Sequence, residues 1–223
     1  MFQQTEKRKE RRRKKDDNMR RYENLESVMK TRRATRKFDP NFHLTETDIH
    51  QLLEVAIEAP STSNLQPWKF QVILDQETKE NIRPIALDQA QVEDAAAIIA
   101  VFADTQLEKN IIPLQEKMVK DGHMASAEAK DKVMRDEAYY GKKTKRERHH
   151  LSLFDVGAVT MSIVLLAESK GIDSCIMGGF DQRTYQEMFS IDERYEPVVL
   201  VALGKRREEP HPTTRFPVKD LLL

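Results

Sequence analysis

The chain has 223 residues, enough for one large domain or two small ones whose core needs no disulfide support. Hydrophobic residues make up 39% and charged residues 33%, so the chain reads as globular, with its excess charge gathered into particular segments. Lys plus Arg and Asp plus Glu both count 37, which gives a formal net charge of zero and no global case for nucleic acid. The single cysteine, Cys175, excludes an intrachain disulfide. No hydrophobic signal-peptide core follows the basic N-terminus, and the longest apolar run, 156–167, is too short for a bilayer, so a soluble, cytoplasmic protein with no membrane partner is expected.

Positions 1–21 carry ten basic residues against four acidic ones, concentrated in KRKERRRKK, and hold only Met1, Phe2 and Met19 as apolar side chains. They cannot bury enough surface to fold alone and read as a flexible basic tail, the one place where a nucleic-acid contact is conceivable. Met19 opens a stretch that could itself begin a protein. The rest, 22–223, reads as one domain. Asn24 suits the cap of a short helix through Arg33, broken by the Phe-Asp-Pro of 38–40. Thr45 and Asp48 have capping-box spacing, and Ile49, Leu52, Leu53, Ala56 and Ile57 follow with helical period, a pattern that must stop near Ala59 because Pro60 comes next.

Phe70, Val72 and Leu74 alternate as a strand entered through Pro67 and Trp68. The run 95–103 predicts a buried strand, with helix as the competing reading. Residues 106–148 are lysine-rich and acidic with weak periodicity, which predicts exposed helices or a mobile lid. Residues 151–170 predict a helix apolar on most faces and ended by Gly171, so it needs neighbours on most sides and belongs in the domain centre or at a subunit interface. A strand over 172–177, a Gly178-Gly179 turn, a helix near 184–189 and a strand over 198–203 complete the pattern. The end, 210–223, reads as extended and then apolar, and its three terminal leucines call for a docking surface such as a partner subunit.

Three separated segments carry the chemistry. Arg32 and Arg36 are four apart, so in a helical turn both guanidinium groups face one way, suited to a phosphate, with Arg33 as a further contributor and Ala34 between them. The loop Pro60-Ser61-Thr62-Ser63-Asn64-Leu65-Gln66 offers small hydroxyls and amides suited to the edge of a flat heterocycle. Met177-Gly178-Gly179 lets backbone N–H groups approach a ligand closely. Taken singly, each has a plain structural alternative: a solvated charged face, an ordinary turn before a strand with Trp68 as core, and a simple Gly-Gly turn.

Together, and with the later Arg215-Phe216-Pro217, the order and spacing of these segments resemble the nitroreductase family over about 24–217. The resemblance implies an α+β fold, with a mostly antiparallel central sheet flanked by helices in an intertwined homodimer and two flavin sites at its interface. It also implies FMN as cofactor and NADH or NADPH as reductant. By that resemblance Arg32, Arg33, Ala34, Arg36 and Arg215 hold the FMN phosphate. Pro60, Ser61, Ser63, Asn64 and Gln66 touch the flavin with contributions from both subunits, and Met177, Gly178 and Gly179 stabilise charge on the reduced ring. Ala34 departs from the family, where serine is common, and one hydroxyl contact is lost.

The flavin carries such chemistry, so no side chain is named as catalytic. The implied activity passes hydride from NAD(P)H through FMN to a nitroaromatic, quinone or similar acceptor by a ping-pong mechanism. The alternatives are a specialised flavoenzyme of the family, such as a reductive dehalogenase or single-metabolite reductase, and a non-enzymatic flavin-binding protein. Weaker signals were set aside. His149 and His150 are adjacent and cannot chelate one metal as an i, i+4 pair would; Cys175 reads as an inert core thiol; Tyr139, Tyr140 and Lys142 read as a solvated helix rather than a substrate lid.

Overall fold

The structure is a computed structural model that describes residues 24–223; the basic tail expected over 1–21 lies outside the described residues. Among the described residues eight helices and four strands follow in chain order: α1 (Leu25–Thr31), α2 (Glu46–Ala56), β1 (Trp68–Ile73), α3 (Gln76–Ile82), α4 (Ala90–Asp94), β2 (Ala97–Asp104), α5 (Ile111–Lys120), α6 (Ser126–Gly141), α7 (Lys145–Ser169), β3 (Asp173–Met177), α8 (Gln182–Phe189) and β4 (Tyr195–Gly204). The strands form one antiparallel sheet in the order β1-β2-β4-β3. This is the α+β architecture expected from the resemblance.

Residues of β2 alternate between two cores, and all eight are buried. Ala97, Ile99, Val101 and Ala103 face α2 and α7 through Ile49, Leu52, Val156, Val159 and Ile163. Ile98, Ala100 and Phe102 face the opposite layer with Ile82, Val92, Phe180 and Tyr185, from α3, α4 and the α8 region. A strand covered on both faces needs no polar alternation, which is why its sequence is one apolar run and why helix competes with strand on periodicity alone.

The expected helix over 151–170 begins earlier, at Lys145, because Thr144 and Glu147 form a full capping box: the Thr144 side chain accepts from the Glu147 N–H, and the Glu147 carboxylate accepts from the Thr144 N–H at 2.7 Å. By length and composition this helix would suffice to cross a membrane, yet it is the core helix, packed on α2 and the sheet. Its buried face is only half its surface. Phe154 and Met161 look outward, 75% and 37% exposed.

Residues 106–148 fold as a 3-10 turn (Leu107–Asn110) and the hairpin α5–α6, and a third small core of Leu65, Leu107, Ile111 and Tyr140 holds them down. Tyr140 is thus a correction: it is 1% exposed, while its neighbour Tyr139 is 53% exposed. The helices α3 and α4, in a stretch without strong periodicity, were not expected. The C-terminal 211–223 is exposed throughout and irregular apart from one 3-10 turn at Val218–Asp220, and Phe216, Val218 and the three leucines 221–223 face solvent.

Candidate functional site

The segment 32–36 is not a helical turn. Helix α1 stops at Thr31, Arg32 turns to φ −55, ψ 127, and the chain continues extended beside β3, where Ala34 bridges Ser174 and the Thr35 N–H donates to the Ser174 carbonyl at 2.9 Å. Alternation along an extended chain also places residues i and i+4 on one side, so Arg32 and Arg36 still share a face, through the strand period rather than the helix period. Burial pushes the Cys175 thiol up, and Arg36 and Arg32 both pull it back, which sets both guanidinium groups near that strand. Neither forms an ion pair among the described residues. Arg33 is different: its guanidinium donates to the carbonyls of Lys30 at 2.6 Å and Arg32 at 2.8 Å, closing the end of α1 instead of facing out with the other two.

Met177, Gly178 and Gly179 leave the end of β3 on the same sheet edge. Met177 as a whole is buried, with its side chain in the core. Both glycines are exposed. A Cβ built on Gly178 would meet no atom within 4 Å, and neither glycine has a positive φ. The chain's own packing therefore asks for no glycine at 178, and the turn strain expected on substitution is absent; what a side chain there would fill is open space. Gly179 is closer to its surroundings, with Leu87 Cδ1 3.0 Å from such a Cβ, and its carbonyl accepts from Gln89 Nε2 at 3.1 Å.

Pro60 to Gln66 lies at the other edge of the sheet, before β1, and is held with unusual firmness. Ser63, Asn64 and Gln66 all have left-handed backbone, φ 51, 58 and 48. Such conformations cost of order 1–3 kcal/mol each and persist only where neighbours impose them. Four neighbours do. The Asp155 carboxylate of α7 accepts from the Thr62 N–H at 3.0 Å and from its hydroxyl at 3.1 Å. The Tyr140 hydroxyl donates to Ser63 Oγ at 2.8 Å, Asn110 Nδ2 donates to the Leu65 carbonyl at 3.0 Å, and Leu65 itself is buried. Within the loop, the Gln66 N–H donates to Ser61 Oγ at 2.9 Å, and Gln66 Nε2 donates to the Asn64 carbonyl at 3.1 Å.

Asn110 is fixed in turn. Its Oδ1 accepts from Arg194 Nη2 at 3.0 Å, and Arg194 grips the buried Asp104 with two bonds, Nε to Oδ1 at 2.8 Å and Nη2 to Oδ2 at 2.6 Å. Burial pushes both Tyr140 and Asp155 up, and hydrogen bonds to Ser63 and Thr62 respectively oppose the rise. None of Asp104, Asn110, Tyr140, Asp155 or Arg194 was singled out from the sequence as a site residue. Asp155 alone left a signal there, as an acidic residue near the start of an apolar helical run.

Arg215 is exposed on the C-terminal segment and bonds only the neighbouring Thr214 carbonyl, at 2.8 Å. One chain therefore brings Arg32, Arg36, Gly178 and Gly179 together at the β3 edge and leaves the loop of 60–66 across the sheet. That separation is three strand spacings, roughly 14 Å. A separate cavity of about 490 Å³, lined by Thr105, Gln106, Glu108, Lys145, Arg146, Arg148 and His149, touches none of these segments. Two of its side chains are already engaged, Arg148 with Glu108 at 3.1 Å and His149 beside Glu196 at 3.5 Å.

Known proteins resemble this chain over nearly all of its described length. The model of the Nitroreductase family matches residues 29–205. A Bacillus subtilis protein described as "Putative NAD(P)H nitroreductase YdgI" is 36% identical over 197 residues, 87% of this chain and 94% of its own. Among solved structures, an Exiguobacterium sibiricum protein described as a "putative nitroreductase in complex with FMN" superimposes with a TM-score of 0.86 at 31% identity, covering 89% of this chain and 96% of its own. The structure of CLA-ER, described as an enone reductase of gut-bacterial fatty acid saturation, superimposes with a TM-score of 0.82 at 28% identity, covering 90% and 97%. The chain belongs to the nitroreductase family, a family of oxidoreductases.

Proposed function

We propose that this chain is a cytoplasmic FMN-dependent oxidoreductase that works as a homodimer and passes hydride from NADH or NADPH to a nitroaromatic, quinone or similar small acceptor. The observation that carries the reading is the β3 edge: two arginines with no acidic partner among the described residues lie along a strand that ends in an exposed backbone turn, where a Cβ on Gly178 would meet empty space. An anionic phosphate suits the first, and the edge of a planar ring suits the second. When bound, FMN supplies the hydride chemistry, taking hydride from the nicotinamide and giving it to the acceptor in turn.

The protein's share is binding and orientation. Arg32 and Arg36 hold the phosphate; Ala34 adds no hydroxyl there, and Arg33 supports the end of α1. The N–H groups of Gly178 and Gly179 would supply backbone donors to the ring and stabilise negative charge on it. The loop carrying Pro60, Ser61, Ser63, Asn64 and Gln66 meets a ring held by a second copy of the chain, since its own β3 edge is across the sheet. The Ser63 hydroxyl, having accepted from Tyr140, still has its own proton to donate.

A dimer also accounts for surface that one chain leaves bare: Phe154 and Met161 on α7, and an apolar cavity of about 460 Å³ lined by Leu25, Val28, Val55, Ala59, Pro60, Leu165 and Leu166. The exposed 211–223 segment, with Arg215 and its leucines, is suited to reach across such an interface, where Arg215 would join the phosphate clamp of a site.

Anaerobic mixing with NADH and, separately, NADPH tests the reading. Bleaching of the bound flavin's visible absorbance at a rate that supports turnover is expected, and steady-state rates with both substrates varied should give parallel double-reciprocal lines. A protein that stays yellow under either nucleotide is a flavin store, and intersecting lines would replace alternate use of one site by a ternary complex. A specialist acceptor is the second reading, favoured by the likeness to CLA-ER and by the tie of the α5–α6 hairpin to the loop through Tyr140.

A further inference from the structure

Asp155 sits in the apolar helix α7, 1% exposed, and forms no ion pair among the described residues. Its two oxygens accept only from the N–H and hydroxyl of one residue, Thr62. A buried carboxylate without a counter-ion is a poor choice for stability, because its desolvation is not offset by Coulomb attraction, and an apolar residue of similar size is often neutral or better at such a place. The chain nevertheless spends its one acidic residue in the middle of α7 on Thr62. Directly after Thr62 come the left-handed Ser63 and Asn64, and Gln66 follows with the same handedness. A short-range hold at Thr62 is what a backbone so far from its preferred basin requires.

We infer that Asp155 is a positioning residue for the cofactor loop: from the rigid core helix it fixes the Thr62 backbone, and so presents Ser63, Asn64 and Gln66 in the one conformation that fits the flavin. The inference rests on the FMN reading given above. Asp155 touches no ligand itself; it acts through Thr62, as Tyr140 acts on Ser63 and Asn110 on Leu65. Among the three, Asp155 is distinctive because its contact gains the fold little, so its loss separates loop geometry from folding.

The test uses the full chain freed of flavin, with three measurements on Asp155→Leu and Asp155→Asn: thermal melting of the apo-protein, hydrogen exchange of the 62–66 amides, and titration with FMN followed by flavin fluorescence. Asp155→Leu should melt at or above the temperature of the unaltered chain, exchange the 62–66 amides faster, and bind FMN about tenfold to a hundredfold more weakly, the range for a lost bond to a charged group. Asp155→Asn keeps a carbonyl oxygen for the Thr62 N–H, and the Thr62 hydroxyl can rotate to accept, so it should restore most of the affinity and protection. FMN binding by Asp155→Leu as tight as that of the unaltered chain overturns the inference alone. So does a parallel loss of melting temperature and affinity in both variants, which makes Asp155 a folding residue. Failure of the unaltered chain to bind FMN overturns the proposed function, and the inference with it.

Discussion

The two edges of the sheet are built on opposite terms. At the β3 edge the backbone is relaxed, the glycines are exposed without left-handed torsions, and two arginines lack carboxylate partners among the described residues. At the β1 edge three non-glycine residues are left-handed, and Asp155, Tyr140, Asn110 and the buried Leu65 hold them from three directions. The first edge leaves its ligand to complete it; the second is completed by the protein before any ligand arrives. An anion can be gathered by long, mobile side chains, whereas recognition of a ring edge needs donors and acceptors fixed within fractions of an ångström, and fixing them takes hydrogen bonds from rigid elements.

The largest effect should come from the open edge. On the proposed reading, Arg32→Ala/Arg36→Ala removes both charges of the phosphate clamp. Each arginine contributes roughly 1.5 to 3 kcal/mol, so each single variant should weaken FMN by about tenfold to a hundredfold and the pair by more. Riboflavin, which lacks the phosphate, should bind the variants as it binds the unaltered chain; a preference for FMN that survives both substitutions would return these arginines to the solvated surface.

Gly178→Val comes next. Because nothing in the chain lies within 4 Å of the new Cβ, the melting temperature of the apo-protein should hold, while overpacking against a bound ring should cost roughly 1–3 kcal/mol of FMN affinity. Lower melting without weaker binding would mean that Gly178 serves the turn and not the ligand.

The smallest effect concerns Cys175. Burial raises its thiol above the usual range, so at pH 8 less of it is thiolate than in an unfolded chain, and a thiol reagent should modify the native protein more slowly than the denatured one. Arg32 and Arg36 oppose that rise. Bound FMN or inorganic phosphate, by neutralising them, should slow the reaction further, and an unchanged rate would place the anion away from these residues.

The sequence disclosed these edges unequally, for physical reasons. The capping box at Thr45, the stop at Gly171 and the apolar run of β2 are local patterns, and each became the element it predicts. Arg32 and Arg36 lie on an extended segment and not on the expected helical turn: spacing of four puts two residues on one side of a helix and of an extended chain alike, and only the bridge of Ala34 to Ser174 tells them apart. The ties of the 60–66 loop were not legible, since they join residues up to 93 positions apart and one of them, Tyr140, sits in a stretch whose composition reads as solvated surface. What buries Tyr140 is Leu65, Leu107 and Ile111, brought to it by the chain's return and not by its neighbours in sequence.

The central claim is that the open edge of one copy and the preformed loop of another make one site, and subunit mixing tests it most directly. One parent carries Arg32→Ala/Arg36→Ala and the other Asp155→Leu, and neither alone binds FMN at the original affinity. In a mixed two-fold dimer one site pairs the intact clamp with the intact loop and the other pairs the two damaged parts, so random mixing should restore about a quarter of all sites to the original affinity. Recovery of that high-affinity fraction on co-refolding is the predicted result. No recovery, in a preparation shown by mass to contain the mixed dimer, would mean that each chain builds its site from its own segments and would contradict the account.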